Sequence, residues 1–183
     1  MLKPNPAPKH VLELKTLTTP IEIIHFFKKN NIQRYLYDIK YKGQTIKYGI
    51  QHTIQKESGI RLHDQVIHIP GWHRPYKRGP EVRKSIEEMI LKVCKNLSDF
   101  HKDDVVVEIY DFTDYKFKLP DSDDAIYFEI RNIETHFNNW YKEQYGRFPV
   151  GNTKQEKLQP VAPDDEIRSA LFAKRLNYST ILD

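Results

Sequence analysis

One cysteine, Cys94, stands in 183 residues, which excludes an internal disulfide framework and a cysteine-based zinc site. Long hydrophobic runs are also missing. No stretch approaches the roughly 18 apolar residues that a membrane-crossing helix needs. The opening MLKPNPAPKH holds lysine and proline but no apolar core of a secretory signal, so the expected location is the cytoplasm. No internal repeat is visible. What the chain does have is charge, 30% Asp, Glu, Lys and Arg, over 39% hydrophobic residues. That is enough for one domain of ordinary size with a small core under a solvated surface. The net charge of +4 is unevenly spread. Residues 1–99 carry 18 Lys/Arg and 9 Asp/Glu, a balance of +9, whereas residues 100–183 carry 11 and 16, a balance of −5. A basic half suits phosphate contacts, and an acidic half can supply carboxylates for a metal.

Residues 1–10 read as a proline-containing arm. Thr19-Pro20-Ile21-Glu22 starts a short helix, with a threonine cap, proline at the first helical position and glutamate three after the cap. In RYLYDIKYKGQTIKYGI the alternation of Tyr37, Ile39 and Tyr41 with Leu36, Asp38 and Lys40, and of Ile46, Tyr48 and Ile50 with Lys47 and Gly49, predicts a β-hairpin about Lys42-Gly43-Gln44. Residues 51–80 read as polar and irregular. Pro80-Glu81-Val82 opens a helix with Val82, Ile86, Met89, Ile90, Val93 and Leu97 on one face. VVVEIYDF (105–112) reads as a central, buried strand. A long helix runs from about Ala125 to Tyr145, with Ile126, Ile130, Ile133, Phe137 and Trp140 as its apolar face and Gly146 as its stop. A final helix is expected near Asp164–Asn177. The expected architecture is α+β: a small, mainly antiparallel sheet, made of the hairpin and a central strand, flanked by helices.

The hairpin strands Tyr35-Leu36-Tyr37 and Lys47-Tyr48-Gly49-Ile50 are similar to the two-strand signature of the GIY-YIG nucleases. The resemblance continues downstream through Arg61, a helix, the strand VVVEIYDF, Glu129 in AIYFEIRNI, and Pro149-Val150-Gly151-Asn152. It covers residues 33–152, with 1–32 as an N-terminal arm and helix and 153–183 as a C-terminal linker and helix. The first motif lacks its glycine. In the second, Gly49 follows Tyr48 directly, so Tyr48 or Lys47 fills the second catalytic position, or a bulge resets the register.

The resemblance implies a GIY-YIG-like fold and a metal-dependent endonuclease acting on double-stranded DNA, with a restriction-type enzyme as one form of it, as monomer or homodimer. Tyr37 and Tyr48 would work as acid–base groups on adjacent strands, where they could face one pocket. Arg61 would offer its forked donor to a phosphate, with Arg74 and Arg78 as competitors. Glu129 would hold Mg²⁺ or another divalent cation through one carboxylate, with water and phosphate oxygens completing the shell. It borders the apolar stripe, four residues from both Ala125 and Ile133. Glu134 is its rival, about 140° around the same helix, so the two are not expected to serve one ion. Asn152 ties down its loop or touches a phosphate. The segment GWHRPYKRG (71–79) interleaves aromatics with Arg74, Lys77 and Arg78 in a pattern suited to gripping a sugar–phosphate backbone, against the plainer reading of a surface loop anchored by Trp72. Lys47 and His63 join these substrate contacts, with His68 as the alternative to His63.

Two other chemistries are weaker. His52, His63, His68 and His73 are spaced 11, 5 and 5 apart, which fits no compact zinc pattern. Asp38-Ile39-Lys40 is the one strand match to the carboxylate–x–lysine nucleases, and its upstream acidic partner is missing. The rival from outside the enzymes is a nucleic-acid-binding protein that uses the basic hairpin and loop without catalysis.

Overall fold

The computed structural model describes residues 10–51, 55–73, 80–113 and 123–152, with the backbone alone at 80 and along 123–132. The hairpin is present as β2 (Tyr35–Tyr41) and β3 (Gln44–Gln51). Both central turn residues, Lys42 and Gly43, have positive φ (48° and 79°), the mirror-image turn whose twist suits a two-residue hairpin. The Lys42 amide donates to the Asp104 carbonyl at 3.0 Å, which anchors the turn to the rest of the chain.

Two further strands complete an antiparallel sheet in the order β1-β4-β2-β3, with β1 at His10–Glu13 and β4 at Val105–Asp111. β4 lies inside the sheet, as its valine run predicts. The strand β1 is a correction to the expected arm, which was read as running through His10: Leu12 is buried, and β1 pairs along β4. Residues 10–32, separated from the module by the sequence reading, thus contribute a strand to the same sheet. They also contribute a helix to the same core, α1 (Ile21–Lys29), through Ile23 and Phe27. Glu22 reaches back to accept from the Thr19 amide at 3.0 Å, the glutamate half of a capping box.

The sheet is covered on both faces. Tyr35, Tyr37, Ile39, Val107 and Ile109 pack with α1, with α2 (Ile60–Val66) through Leu62 and Val66, and with α3 (Pro80–Leu91) through Ile86, Met89 and Ile90. Leu36, Tyr48, Ile50, Tyr110 and Phe112 pack beneath α4 (Asp123–Tyr145), which brings Ile133, Phe137 and Tyr141. Cover on both faces explains why β2 is buried along almost its whole length. Full burial of each such side chain contributes about 1.5–3 kcal/mol. Helix α2 corrects the irregular reading of residues 51–80. At seven residues it offers only Leu62 and Val66 as an i, i+4 apolar pair, too short for a periodic signal. Among the described residues no helix is long and apolar enough to cross a membrane. The expected helix at 164–177 falls outside the described residues.

One buried charge is awkwardly placed. Asp38 lies in β2 on the α4 side and is only 3% exposed. The Thr45 hydroxyl donates to its Oδ2 at 3.0 Å and the Lys40 ammonium stands 3.8 Å away, while Oδ1 has no hydrogen-bond partner among the described residues. Burial outweighs Lys40 and Thr45 and pushes the carboxyl up to about 7. A raised carboxyl binds a proton more tightly in the folded chain than in the unfolded one. Its contribution to stability therefore falls as pH rises from about 4 to 7 and is level above. Asp38→Asn is expected to abolish that decline and to raise stability at pH 8 by up to about 4 kcal/mol. Urea melts of both proteins across pH 4–8 check this, and parallel curves would refute it.

Candidate active site

The register of the hairpin decides which side chains meet. Tyr37 pairs with Gly49 and Ile39 with Lys47, so Lys47 and Gly49 share the Tyr37 face. Tyr48 pairs with Asp38 on the opposite face. A bulge follows: Lys40 pairs with Thr45, which leaves Ile46 as an extra residue in β3. Tyr37 and Tyr48 both border one cavity, as expected, but their rings leave the sheet on opposite faces. The Tyr48 ring packs into the core under α4, 5.4 Å from the Phe137 ring and 6.3 Å from that of Tyr141.

At the outer edge of β3, where the two helix layers approach each other, lies a cavity of about 220 Å³. Its walls include Tyr37, Lys47, Arg61, Gln65, Glu134 and Asn138. The hairpin supplies the first two and α2 the next two. Arg61 and Gln65 are four apart, hence neighbours on one helix face. Glu134 and Asn138 repeat that spacing on α4.

The Tyr37 ring lies across Gly49, where an added Cβ would overlap the phenol. Glycine is required there by close approach rather than by its torsion angles. Gly49→Ala is expected to displace the ring and destabilise the chain by about 1–3 kcal/mol. A thermal melt of the variant reads that loss, and an unchanged midpoint would mean that the ring does not rest on Gly49.

The loop after α4 closes the cavity. The Gly151 amide donates to the carbonyl of the bulged Ile46 at 2.7 Å. Asn152 then pairs with Tyr48 as a strand residue would: its Nδ2 donates to the Tyr48 carbonyl at 2.9 Å, and its Oδ1 accepts from the Tyr48 amide at 2.7 Å. Of the two roles expected for Asn152, the loop tie is the one made by these bonds.

The charges within the cavity influence one another. Burial pushes the Tyr37 phenol well above its usual range, and the negative charge of Glu134 adds to this while Arg61 opposes it. Burial pushes the Lys47 ammonium below its usual value, against the pull of Glu134 and helped by the positive charge of Arg61. In this arrangement Lys47 gives up a proton more readily than an ordinary lysine, and Tyr37 less readily than an ordinary tyrosine.

Other expected site residues lie elsewhere. Glu134, the rival in the sequence reading, is the carboxylate that lines the cavity among the described residues. Glu129 is five residues earlier on α4, about 140° around its axis, and its side chain is outside the described residues. His63 is buried, with Nδ1 3.2 Å from the Asp64 carboxylate, and does not line the cavity. His68 lines a different cavity with Trp72 and Arg83. Trp72 is anchored to the core, donating from Nε1 to the Val66 carbonyl at 2.9 Å. Arg74, Lys77 and Arg78 lie outside the described residues. Gln65 and Asn138 were not foreseen. Their signal is the i, i+4 step from Arg61 and from Glu134, legible only once α2 is known and Glu134 is chosen.

Searches against protein-family models, curated proteins and solved structures find no match to the chain.

Proposed function

We propose that the chain is a metal-dependent DNA endonuclease of the GIY-YIG type, hydrolysing phosphodiester bonds. The observation that supports this best is the convergence of Tyr37, Lys47, Arg61 and Glu134 on one polar cavity, from three separate parts of the chain. Phosphodiester hydrolysis needs a base for water, positive charge on the phosphorus oxygens, and relief of charge on the leaving oxygen. Lys47, with its lowered proton affinity, is the group best able to take the proton from water. The Tyr37 hydroxyl, held protonated by burial, donates a hydrogen bond that orients the water or a phosphate oxygen. Arg61, exposed at the mouth, places its fork on the phosphate.

The donor set fits a hard divalent cation such as Mg²⁺. Glu134 offers a carboxylate, and among the described residues no group of three or more His, Cys, Asp or Glu side chains gathers to hold a metal by itself. One protein carboxylate, completed by water and substrate phosphate oxygens, is a usual arrangement for Mg²⁺. When bound, such an ion would polarise the phosphate and stabilise the leaving oxygen. The surplus of positive charge in residues 1–99 supports duplex DNA as the partner.

The test is incubation of the pure protein with supercoiled plasmid in Mg²⁺ and in EDTA. Nicked or linear DNA in Mg²⁺ alone is expected. Plasmid that is bound but intact in both Mg²⁺ and Mn²⁺ would replace the nuclease with a non-catalytic DNA-binding protein.

A further inference from the structure

Asn138 is a buried amide at the wall of a charged cavity. It is 7% exposed, and its Oδ1 is a buried acceptor with no hydrogen-bond partner among the described residues. A buried acceptor left unmatched is costly, and native proteins keep few of them. One way to satisfy such an oxygen is a bound ion at the cavity that Asn138 lines.

The identity of that partner follows from position. Asn138 is four residues after Glu134 on α4, so the two side chains are neighbours on one helix face, and both line the same cavity. A carboxylate and an amide carbonyl side by side are both hard oxygen donors, the kind that Mg²⁺, Mn²⁺ and Ca²⁺ prefer. Lys47 and Arg61, the cationic side chains of the same wall, stand on the hairpin and on α2. The cation-seeking oxygens are thus gathered on α4, and the phosphate-seeking cations face them from the other elements. We propose that Glu134 and Asn138 form a two-oxygen seat for a divalent cation, with the Asn138 Oδ1 as the second protein ligand. This rests on the nuclease reading for its substrate, but the cation seat can be tested without DNA.

The test is direct Mn²⁺ binding to the full chain, followed by the loss of the free-ion resonance signal, for wild type, Asn138→Asp, Asn138→Ala and Glu134→Gln. One Mn²⁺ per chain is expected for wild type. Asn138→Asp, which keeps the shape and adds a negative charge, should bind about tenfold more tightly, because charge count tunes such sites. Asn138→Ala should bind about tenfold more weakly, and Glu134→Gln weaker still. Asn138→Asp should also gain more in melting temperature from added Mg²⁺ than wild type does, a second readout that also reports whether the variant is folded. Equal Mn²⁺ affinity in wild type, Asn138→Asp and Asn138→Ala overturns the proposal, as does a wild type that binds no Mn²⁺. The two readings fail separately. Mn²⁺ binding that follows Asn138 with plasmid left intact keeps the seat and removes the nuclease. Metal-dependent cleavage that needs Glu134 but is indifferent to position 138, in both affinity and Mg²⁺ requirement, does the reverse.

Discussion

Glu134→Ala is expected to yield a folded protein that still binds DNA in the absence of divalent ion but cleaves it on the order of 10³-fold more slowly, or worse. The side chain lines the cavity beside Tyr37, Lys47 and Arg61, so its removal takes away the carboxylate that would hold a cation against the phosphate. Glu134 is only partly buried, so truncation leaves no large void in the core. Glu129→Ala, on the same helix, should cleave at the wild-type rate. Single-turnover cleavage of one labelled duplex by both variants decides the matter. Normal activity in Glu134→Ala with loss in Glu129→Ala would return the metal to the residue that the sequence first suggested.

The second large effect is expected at Lys47. Lys47→Met keeps an unbranched apolar stem and removes the amine, and the expected loss is roughly 10²–10⁴-fold, the range for a general base. The wild-type rate should climb with pH as the neutral amine becomes more abundant, then level off above the lowered proton affinity of Lys47. The remaining activity of Lys47→Met should lack that rise. Tyr37→Phe should also slow cleavage, whereas Tyr48→Phe should leave the rate alone, because its ring is turned into the core beneath α4. The result that would sink this assignment is a slow Tyr48→Phe beside a Lys47→Met of normal rate and unaltered pH profile.

Much of the fold was legible in the residues. The hairpin, the buried β4, the long α4 and the helix opened by Pro80 all carry strong local patterns, of period two or of period near four. β1 and α2 were missed for the same physical reason. Each is short, four and seven residues, and is held by what it packs against rather than by its own periodicity. The site was legible in part. Tyr37, Arg61 and Asn152 were named from the order of motifs, and the structure brings all three to the same cavity. The choice between Tyr48 and Lys47 turned on which face of β3 each occupies, and the bulge at Ile46 sits between the turn and both residues. Counting from the hairpin turn cannot settle a face across a bulge whose position is unknown. The choice between Glu129 and Glu134 could not be made from the pattern either. Proximity to an apolar stripe places a residue near a core, but says nothing of which neighbour lies beyond it.

The amide of Asn152 has a meaning for association as well as for chemistry. β3 is an outer strand, and an outer strand with open amides and carbonyls invites a strand from another molecule. Asn152 and Gly151 occupy the groups of Tyr48 and Ile46 that such a visitor would take. The same short loop that walls the cavity is therefore a guard against sheet-to-sheet aggregation. Damage to residues 149–152 should cost solubility and function together, and the two losses would share one cause.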